Sequence, residues 1–385
     1  MPAPAAAVSL TRDWWQPRLT ARTALLLPVS WLFGLAAALR RALYRCHALS
    51  ADRLAVPVIV VGNLTLGGSG KTPLVIALVR QLAAQGYRPG VISRGYRRAT
   101  AHGAADAAGR AGSAGQAARA AGSGAAGGAI EVTPASAAAA SGDEPLLIAR
   151  ATGAPVFVDA SRVRAGRALL AAHPQVNVLI SDDGLQHYAL ARDIEIAVFD
   201  ARGAGNGQLL PAGPLREPLS RAAGLSALVH NAAGTHAANN GLHQRFPAMH
   251  PMKLLPQRCY RLIDPAQTCA IEQLAARVAQ PGADGNIAAL SAIAAIAGIG
   301  HPERFFATLR AAGLTPIEYP FPDHHDFTGA DLAAISAPTL IMTEKDALKC
   351  SAFNDARIWV LPVTAQLDAA FYALILEKLR GHQAA

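Results

Sequence analysis

The chain has 385 residues, enough for two domains of ordinary size, and 52% of them are hydrophobic, much of that alanine. A formal net charge of +9 suits an anionic partner; with no RNA-binding signature, zinc-finger spacing or aromatic-rich basic strand in view, a lipid surface is favoured over nucleic acid. Cys46, Cys259, Cys269 and Cys350 lack metal-type spacing and are expected to be reduced thiols.

Residues 1–50 stand apart. Ala24 to Leu39 carries no charge and is bracketed by Arg18, Arg22, Arg40, Arg41 and Arg45. At ~1.5 Å per residue its helix would span about 24 Å, short of the ~30 Å hydrocarbon core, and Pro28 is expected to break or kink it. A cleaved export signal would carry the nucleotide site described next away from its ligand. The expectation is an interfacial helix with Trp14, Trp15 and Trp31 at headgroup depth and arginines on anionic lipid. A helix packed on the protein body is the alternative.

The apolar run Val56 to Val61 leads into GNLTLGGSGKT, Gly62 to Thr72, and then into a helical pattern. Strand, glycine loop and helix in that order hold a nucleotide phosphate. Gly67, Gly68 and Gly70 let successive N–H groups face one anion, and the helix start adds its own amides and dipole. Lys71 would reach the β- and γ-phosphates, and Thr72 would offer its hydroxyl to Mg²⁺. The strict loop pattern requires glycine at position 65, where this chain has Thr65.

A second strand, Arg88 to Ser93, runs into SRGYRR. Residues 99–141 are then almost entirely Ala, Gly and small polar residues, and read as a disordered or loosely helical insertion without chemistry. GDEP follows, in which Asp143 is either a helix N-cap or a base for a kinase's attacking hydroxyl. Strands are expected at Val156 to Val158, Val176 to Ser181, Glu195 to Phe199 and Ala227 to His230, with a helix at Arg162 to Ala172. Short continuous apolar runs of this kind suit buried parallel strands, so residues 51–232 read as a doubly wound α/β domain.

VLISDDGLQH ends a strand in acid, where a phosphate-loop enzyme places its Mg²⁺ carboxylate. Asp182 and Asp183 are the candidates; alternation in an extended chain turns only one of them toward the metal, and Gln186 and His187 lie just beyond. The loop GNGQLLPAGPLREP, with Arg216 and Glu217, either shapes a pocket or closes a turn. Residues 233–256 read as a linker, and 257–385 as a smaller α/β unit whose last helix is expected from Ala365 to Arg380. Within it, FPDHHDF offers two histidines to a metal, or one to a proton-relay dyad. TEKDALK either supplies cations to phosphate or caps a helix. A GTPase or metallochaperone regulator is the competing reading, although the guanine-reading N-K-x-D string is absent.

Taken together, VGNLTLGGSGKTP, ISRGYRR, GDEP, DDGLQH, LLPAGPLREP, AGIGHPERFF, FPDHHDF and TEKDALK resemble the tetraacyldisaccharide 4'-kinase (lipid A 4'-kinase) family over roughly Leu54 to Leu361. The resemblance implies a phosphate-loop α/β domain, a smaller α/β domain and an N-terminal membrane-associating helix. It implies ATP- and Mg²⁺-dependent phosphorylation of a lipid disaccharide, forming lipid IVA in lipopolysaccharide synthesis at the cytoplasmic face of the inner membrane. By motif it assigns Thr65, Leu66, Gly67, Gly68, Ser69, Gly70, Lys71 and Thr72 to ATP. Thr72, Asp182 and Asp183 fall to the metal and Gln186, His187 and Glu217 to the active site. The catalytic pair becomes Asp143 and His324, with His325 as the adjacent alternative.

Overall fold

A computed structural model describes residues 5–95, 128–231, 241–274 and 293–383. The larger sheet is built from β1 (Val58–Gly62), β2 (Pro89–Ser93), β3 (Ile130–Val132), β4 (Val156–Val158), β5 (Val178–Asp182), β6 (Ile194–Asp200), β7 (Ala227–Asn231) and β8 (His250–Pro256), with β15 (Val363–Leu367) added from near the C-terminus. Its order is β15-β8-β7-β6-β1-β5-β2-β4-β3. The strands from β8 to β4 run parallel, and β15 and β3 close the two edges antiparallel.

Both faces of this sheet are covered, which is why its strands read as unbroken apolar runs. Alternate residues enter opposite cores. Ile59 and Val61 meet Leu74 and Leu78 of the helix Lys71–Ala84 on one side, while Val58 and Val60 meet Leu54 and Leu169 on the other.

The smaller sheet contains β9 (Cys259–Arg261), β10 (Asp264–Cys269), β11 (Ile293–Ala297), β12 (Ile317–Pro320), β13 (Thr339–Thr343) and β14 (Ile358–Leu361), in the order β10-β9-β14-β13-β11-β12. Phe305, Phe306 and Leu309 of the helix Pro302–Ala311 cover one face, and Phe327 and Leu332 cover the other. Two short connections, from β8 to β9 and from β14 to β15, join the sheets side by side. Gln257 N–H donates to the Pro362 carbonyl between them at 2.9 Å.

The sequence-derived boundaries need three corrections. Residues 130–132, at the end of the low-complexity stretch, form an edge strand that buries Val132; residues 99–127 lie outside the described residues. The expected linker ends in β8, which pairs with both β7 and β15, and its residues 233–240 lie outside the described residues. The chain also leaves the smaller unit before its end. Ala365 lies in strand β15, and the helix starts only at Ala369, placing Phe371, Ile375 and Leu379 in the core of the larger sheet. Their spacing of four puts all three on one helix face.

The N-terminal segment folds as helices Ala5–Trp14, Ala21–Leu25 and Leu27–Arg45. Pro28 sits in the first turn of the third helix, where its missing N–H costs nothing, so it starts the helix rather than breaking it. None of the helices among the described residues is long and apolar enough to cross a membrane. Trp14 and Trp15 do not face outward as expected. Trp14 Nε1 donates to the Pro211 carbonyl at 3.0 Å, and the Arg202 guanidinium lies 3.8 Å over the Trp15 ring. Trp31 does project, together with Leu25, Leu32 and Leu35, each at least 66% exposed.

Phe371 is fully buried against the larger sheet's core. Truncation to alanine should therefore destabilise the larger domain by about 3–5 kcal/mol. Denaturant unfolding followed by the signal of that domain checks this, and a loss confined to the smaller domain would contradict it.

Candidate active site at the interdomain cleft

β1 delivers the chain into the glycine loop, and two asparagines shape it. Asn63 Nδ2 donates to the Gly67 carbonyl and Asn231 Nδ2 to the Ser69 carbonyl, each at 3.0 Å. In a trans peptide the C=O and the following N–H point in opposite directions. The N–H groups of Gly68 and Gly70 therefore turn away from the two asparagines. Gly67 and Gly70 have φ of 100° and 94°, conformations that favour glycine. At Gly70 a Cβ would also lie 2.5 Å from Asn231 Nδ2.

Thr65 has no such requirement. It forms an antiparallel bridge with Leu215, flanked by Leu66 N–H to Pro214 O at 2.8 Å and Arg216 N–H to Leu64 O at 2.7 Å. The head of the loop is thus a short extended segment zipped to LLPAGPLREP, and an extended residue tolerates a side chain where a tight turn requires glycine.

Parallel pairing sets Asp182 opposite Val61, so β5 ends in acid beside the loop. Asp182 is buried, and its Oδ1 has no hydrogen-bond partner. Burial, reinforced by the charge of Glu144, pushes its carboxyl up to about 7 against Lys71 and Arg162. A desolvated carboxylate with an unmet acceptor, at the end of the strand beside the one that opens the glycine loop, fits a divalent cation.

Asp183 leaves the strand direction, with φ of 48°, and faces cations instead. Lys71 Nζ lies 3.7 Å from it and Arg216 3.2 Å. Burial acts to raise its carboxyl, but Lys71 and Arg216 outweigh burial and hold it below the ordinary range. The sequence separated the two aspartates by strand alternation; here a left-handed turn separates them.

Gln186 joins this group, donating to the Asn63 carbonyl at 3.2 Å while its Oε1 lies 3.5 Å from Arg216. His187 and Glu217 have supporting positions. The His187 ring accepts the backbone N–H of Arg162, the first residue of the helix Arg162–Ala172, at 3.3 Å. Burial and the charge of Arg162 depress its pKa to about 4. Glu217 is buried, with Tyr188 Oη donating to it at 2.8 Å and Arg221 3.5 Å away. Arg162 escaped the sequence reading, which took it only as a helix start. It is 3% exposed and donates to the carbonyls of both Asp182 and Asp183 at 3.3 Å.

Across the cleft, the helix Asp143–Thr152 is capped by Gly142, at φ of 88°, and not by the Asp143 side chain. That carboxylate instead lies 3.1 Å from His324 Nδ1 and 3.0 Å from Lys349 Nζ. Burial works to raise the Asp143 carboxyl; the His324 hydrogen bond and Lys349 more than offset it and hold it ionised. An ionised carboxylate only accepts, so Nδ1 carries the proton. Lys345 Nζ lies 3.2 Å from the other ring nitrogen, Nε2, with Asp323 Oδ1 3.9 Å from the same atom. Lys345 also reaches Glu144 at 3.4 Å and Asp323 at 3.5 Å.

The two adjacent histidines diverge. His324 takes φ of 60° and turns to Asp143, whereas His325 turns to Asp331 at 3.2 Å and packs on Phe321 and Phe327. A metal shared by the pair is incompatible with that divergence, and the described residues contain no cluster of three or more His, Cys, Asp or Glu arranged for one. TEKDALK supplies both lysines: Lys345 and Lys349 are four apart on the helix Glu344–Cys350, hence on one face. The domains also meet at the glycine loop itself, where a Cβ on Gly300 would lie 3.3 Å from Gly68 N and 3.1 Å from Asp323 Oδ2.

Because His187 is held neutral, its unfolded pKa of 6.5 exceeds its folded value of about 4. Below pH 6.5 the unfolded chain therefore binds more protons, and the contribution to stability declines as pH falls through the 6.5 to 4 window. His187→Gln should flatten the acid side of the melting-temperature profile in that window, with less effect at pH 8. A parallel displacement of the whole profile would show that His187 titration does not contribute.

The chain is similar to known proteins in sequence and in fold. The model of the family described as "LpxK: Tetraacyldisaccharide-1-P 4'-kinase" matches residues 22–122 and 117–380. A tetraacyldisaccharide 4'-kinase from Janthinobacterium sp. (strain Marseille) is 48% identical over 384 residues, covering 98% of this chain and 97% of the relative. One from Dechloromonas aromatica (strain RCB) is 45% identical over 383 residues, with 98% of each covered. The crystal structure of LpxK from Aquifex aeolicus in complex with ATP superposes with a TM-score of 0.68 at 26% identity, covering 93% of this chain and 99% of that one. The nucleotide loop, the strand-end acids and the cross-domain pair thus occur in a chain that belongs to the tetraacyldisaccharide-1-P 4'-kinase family.

Proposed function

We propose that this protein transfers the γ-phosphoryl group of ATP to the 4'-hydroxyl of a tetraacyldisaccharide 1-phosphate lipid, a step of lipid A synthesis. Family membership and the ATP-bound structural neighbour support the reaction class. The observation that carries the residue-level reading is the Asp143–His324 contact of 3.1 Å, formed between the two domains where the smaller one also approaches the glycine loop.

In this reading Asp143 orients the acceptor hydroxyl and takes its proton as the oxygen–phosphorus bond forms and the bond to the leaving ADP oxygen breaks. His324 and Lys349 keep Asp143 ionised for that role, and Lys345 lies against the other ring nitrogen of His324. Lys71 and the amides of Gly68 and Gly70 stabilise charge on the transferring group and on the departing diphosphate. Thr72 and Asp182 would hold Mg²⁺, with Asp183 restraining Lys71. When bound, that ion neutralises phosphate-oxygen charge.

The acceptor's acyl chains require a lipid surface, and the N-terminal helices offer one attachment. Leu25, Trp31, Leu32 and Leu35 project, and Arg18, Arg22, Arg40, Arg41 and Arg45 border them. This suits peripheral association with an anionic bilayer, at the cytoplasmic face where ATP is found.

Incubation with Mg-ATP labelled in the γ-phosphate and the tetraacyl disaccharide monophosphate should label the lipid; failure to do so would exclude the reading. Asp143→Ala should lower kcat by about 10²–10⁴-fold with little change in ATP affinity, and a purely structural Asp143 would instead lower the melting temperature with kcat per folded molecule preserved. For the membrane contact, Leu32→Glu with Leu35→Glu should shift the protein from the pellet to the supernatant when it is sedimented with anionic vesicles. Unchanged sedimentation would point to another attachment surface.

A further inference from the structure

The N-terminal segment reaches the nucleotide site through one arginine. Arg202 lies just past the end of β6, in the loop that carries the chain from Asp200 toward LLPAGPLREP. Its side chain makes a two-point fork with buried Asp200, Nε donating to Oδ1 at 3.2 Å and a terminal nitrogen donating to Oδ2 at 2.5 Å, so the guanidinium plane is held in place. One face of that plane covers the Trp15 ring at 3.8 Å. One edge lies against Gly67, where an added Cβ would be 3.1 Å from the Arg202 terminal nitrogen. Trp15 is itself fixed, since the neighbouring Trp14 carbonyl accepts the Asn206 N–H at 2.8 Å and Trp14 Nε1 is bonded to Pro211 O.

Gly67 is therefore held from two directions. Asn63 draws its carbonyl one way, and the Arg202 guanidinium blocks its α-carbon on another. Because the Gly67 carbonyl direction sets that of the Gly68 N–H, displacing Arg202 would release the aim of an amide that faces phosphate. The stacking partner that keeps Arg202 in place comes from the segment with the exposed apolar face, far from Gly67 in sequence.

We infer that Arg202 is a positioning residue for the ATP phosphate loop, and that Trp15, by stacking on it, makes the N-terminal segment part of the nucleotide site as well as a lipid contact. The inference rests on reading Thr65–Thr72 as the ATP cradle. A segment that only attached the protein to lipid would affect the handling of the lipid substrate; this arrangement places its effect on ATP.

The test is nucleotide affinity, measured by titration of the full-length protein with Mg-ATP, alongside KM for ATP and for the lipid acceptor. Trp15→Ala should raise Kd and KM for ATP about threefold to tenfold, the range of a lost cation–π contact, and leave the lipid KM unchanged. Trp15→Phe, which keeps a ring face, should restore most of the affinity. Arg202→Lys keeps the charge but loses the fork and the flat face, and should behave like Trp15→Ala. A rise confined to the lipid KM, or a fall in kcat with ATP affinity intact, would overturn the assignment. Should either variant fail to fold, Trp15→Leu, which keeps apolar bulk but loses the ring face, decides instead: a raised Kd for ATP is expected, and wild-type affinity would overturn the assignment. Wild type that bound no ATP would overturn the loop reading itself, whereas binding with unchanged variants would overturn the role of Arg202 alone.

Discussion

The parallel pairing of β1 with β5 is the constraint on which the site depends. It sets Val61 opposite Asp182, so the strand that opens the glycine loop and the strand that ends in acid terminate at the same height. A one-residue slip would turn Asp182 to the opposite face and send its apolar neighbours out of their cores. Both faces of these strands are packed, by Leu74 and Leu78 on one side and Leu169 and Leu54 on the other, so the register is strongly specified. The geometry of the candidate site is a consequence of core packing.

Upon that frame the cleft concentrates charge in a region largely withdrawn from water. Asp143, Glu144, Asp182, Asp183 and Asp323 face Lys71, Lys345, Lys349, Arg162 and Arg216. Burial alone would drive the carboxyls toward neutrality. The separate outcomes follow from partners: Asp143 and Asp183 each have close cations and stay ionised, while Asp182 has none in hydrogen-bond contact and is raised. Three carboxyls on one cleft thus differ in proton affinity through their neighbours. Since Asp143 comes from the larger domain and His324, Lys345 and Lys349 from the smaller, this tuning is complete only with the domains together.

Much of this was legible along the chain. Gly67 to Thr72 carries a backbone requirement and a charge in adjacent residues, so the loop can be read locally. The strands of the larger sheet were legible because burial on both faces leaves no polar alternation to confuse them. Thr65 was the apparent exception, and the fold resolves it: only Gly67 and Gly70 take left-handed φ, whereas Thr65 is extended and paired with Leu215. Asp143 read either as a cap or as a base, and the structure removes the cap: the N-cap is Gly142. Lys345 and Lys349 had a signal, their spacing of four, but nothing in the string says what that helix face meets.

The sequence by itself determined most element types of the larger sheet, the glycine loop, the acid at the end of β5 and the amphipathic character of the N-terminus, because each follows from the chemistry of neighbouring residues. Tertiary structure alone decided that His324 and not His325 meets Asp143, across a separation of 181 residues, and that β15 and the last helix return to the first sheet. It also decided that Trp14 and Trp15 turn inward while Trp31 turns out. Those outcomes depend on which surfaces are juxtaposed when two sheets and a helical segment pack. That juxtaposition is a property of the whole chain's packing, and no local spacing encodes it.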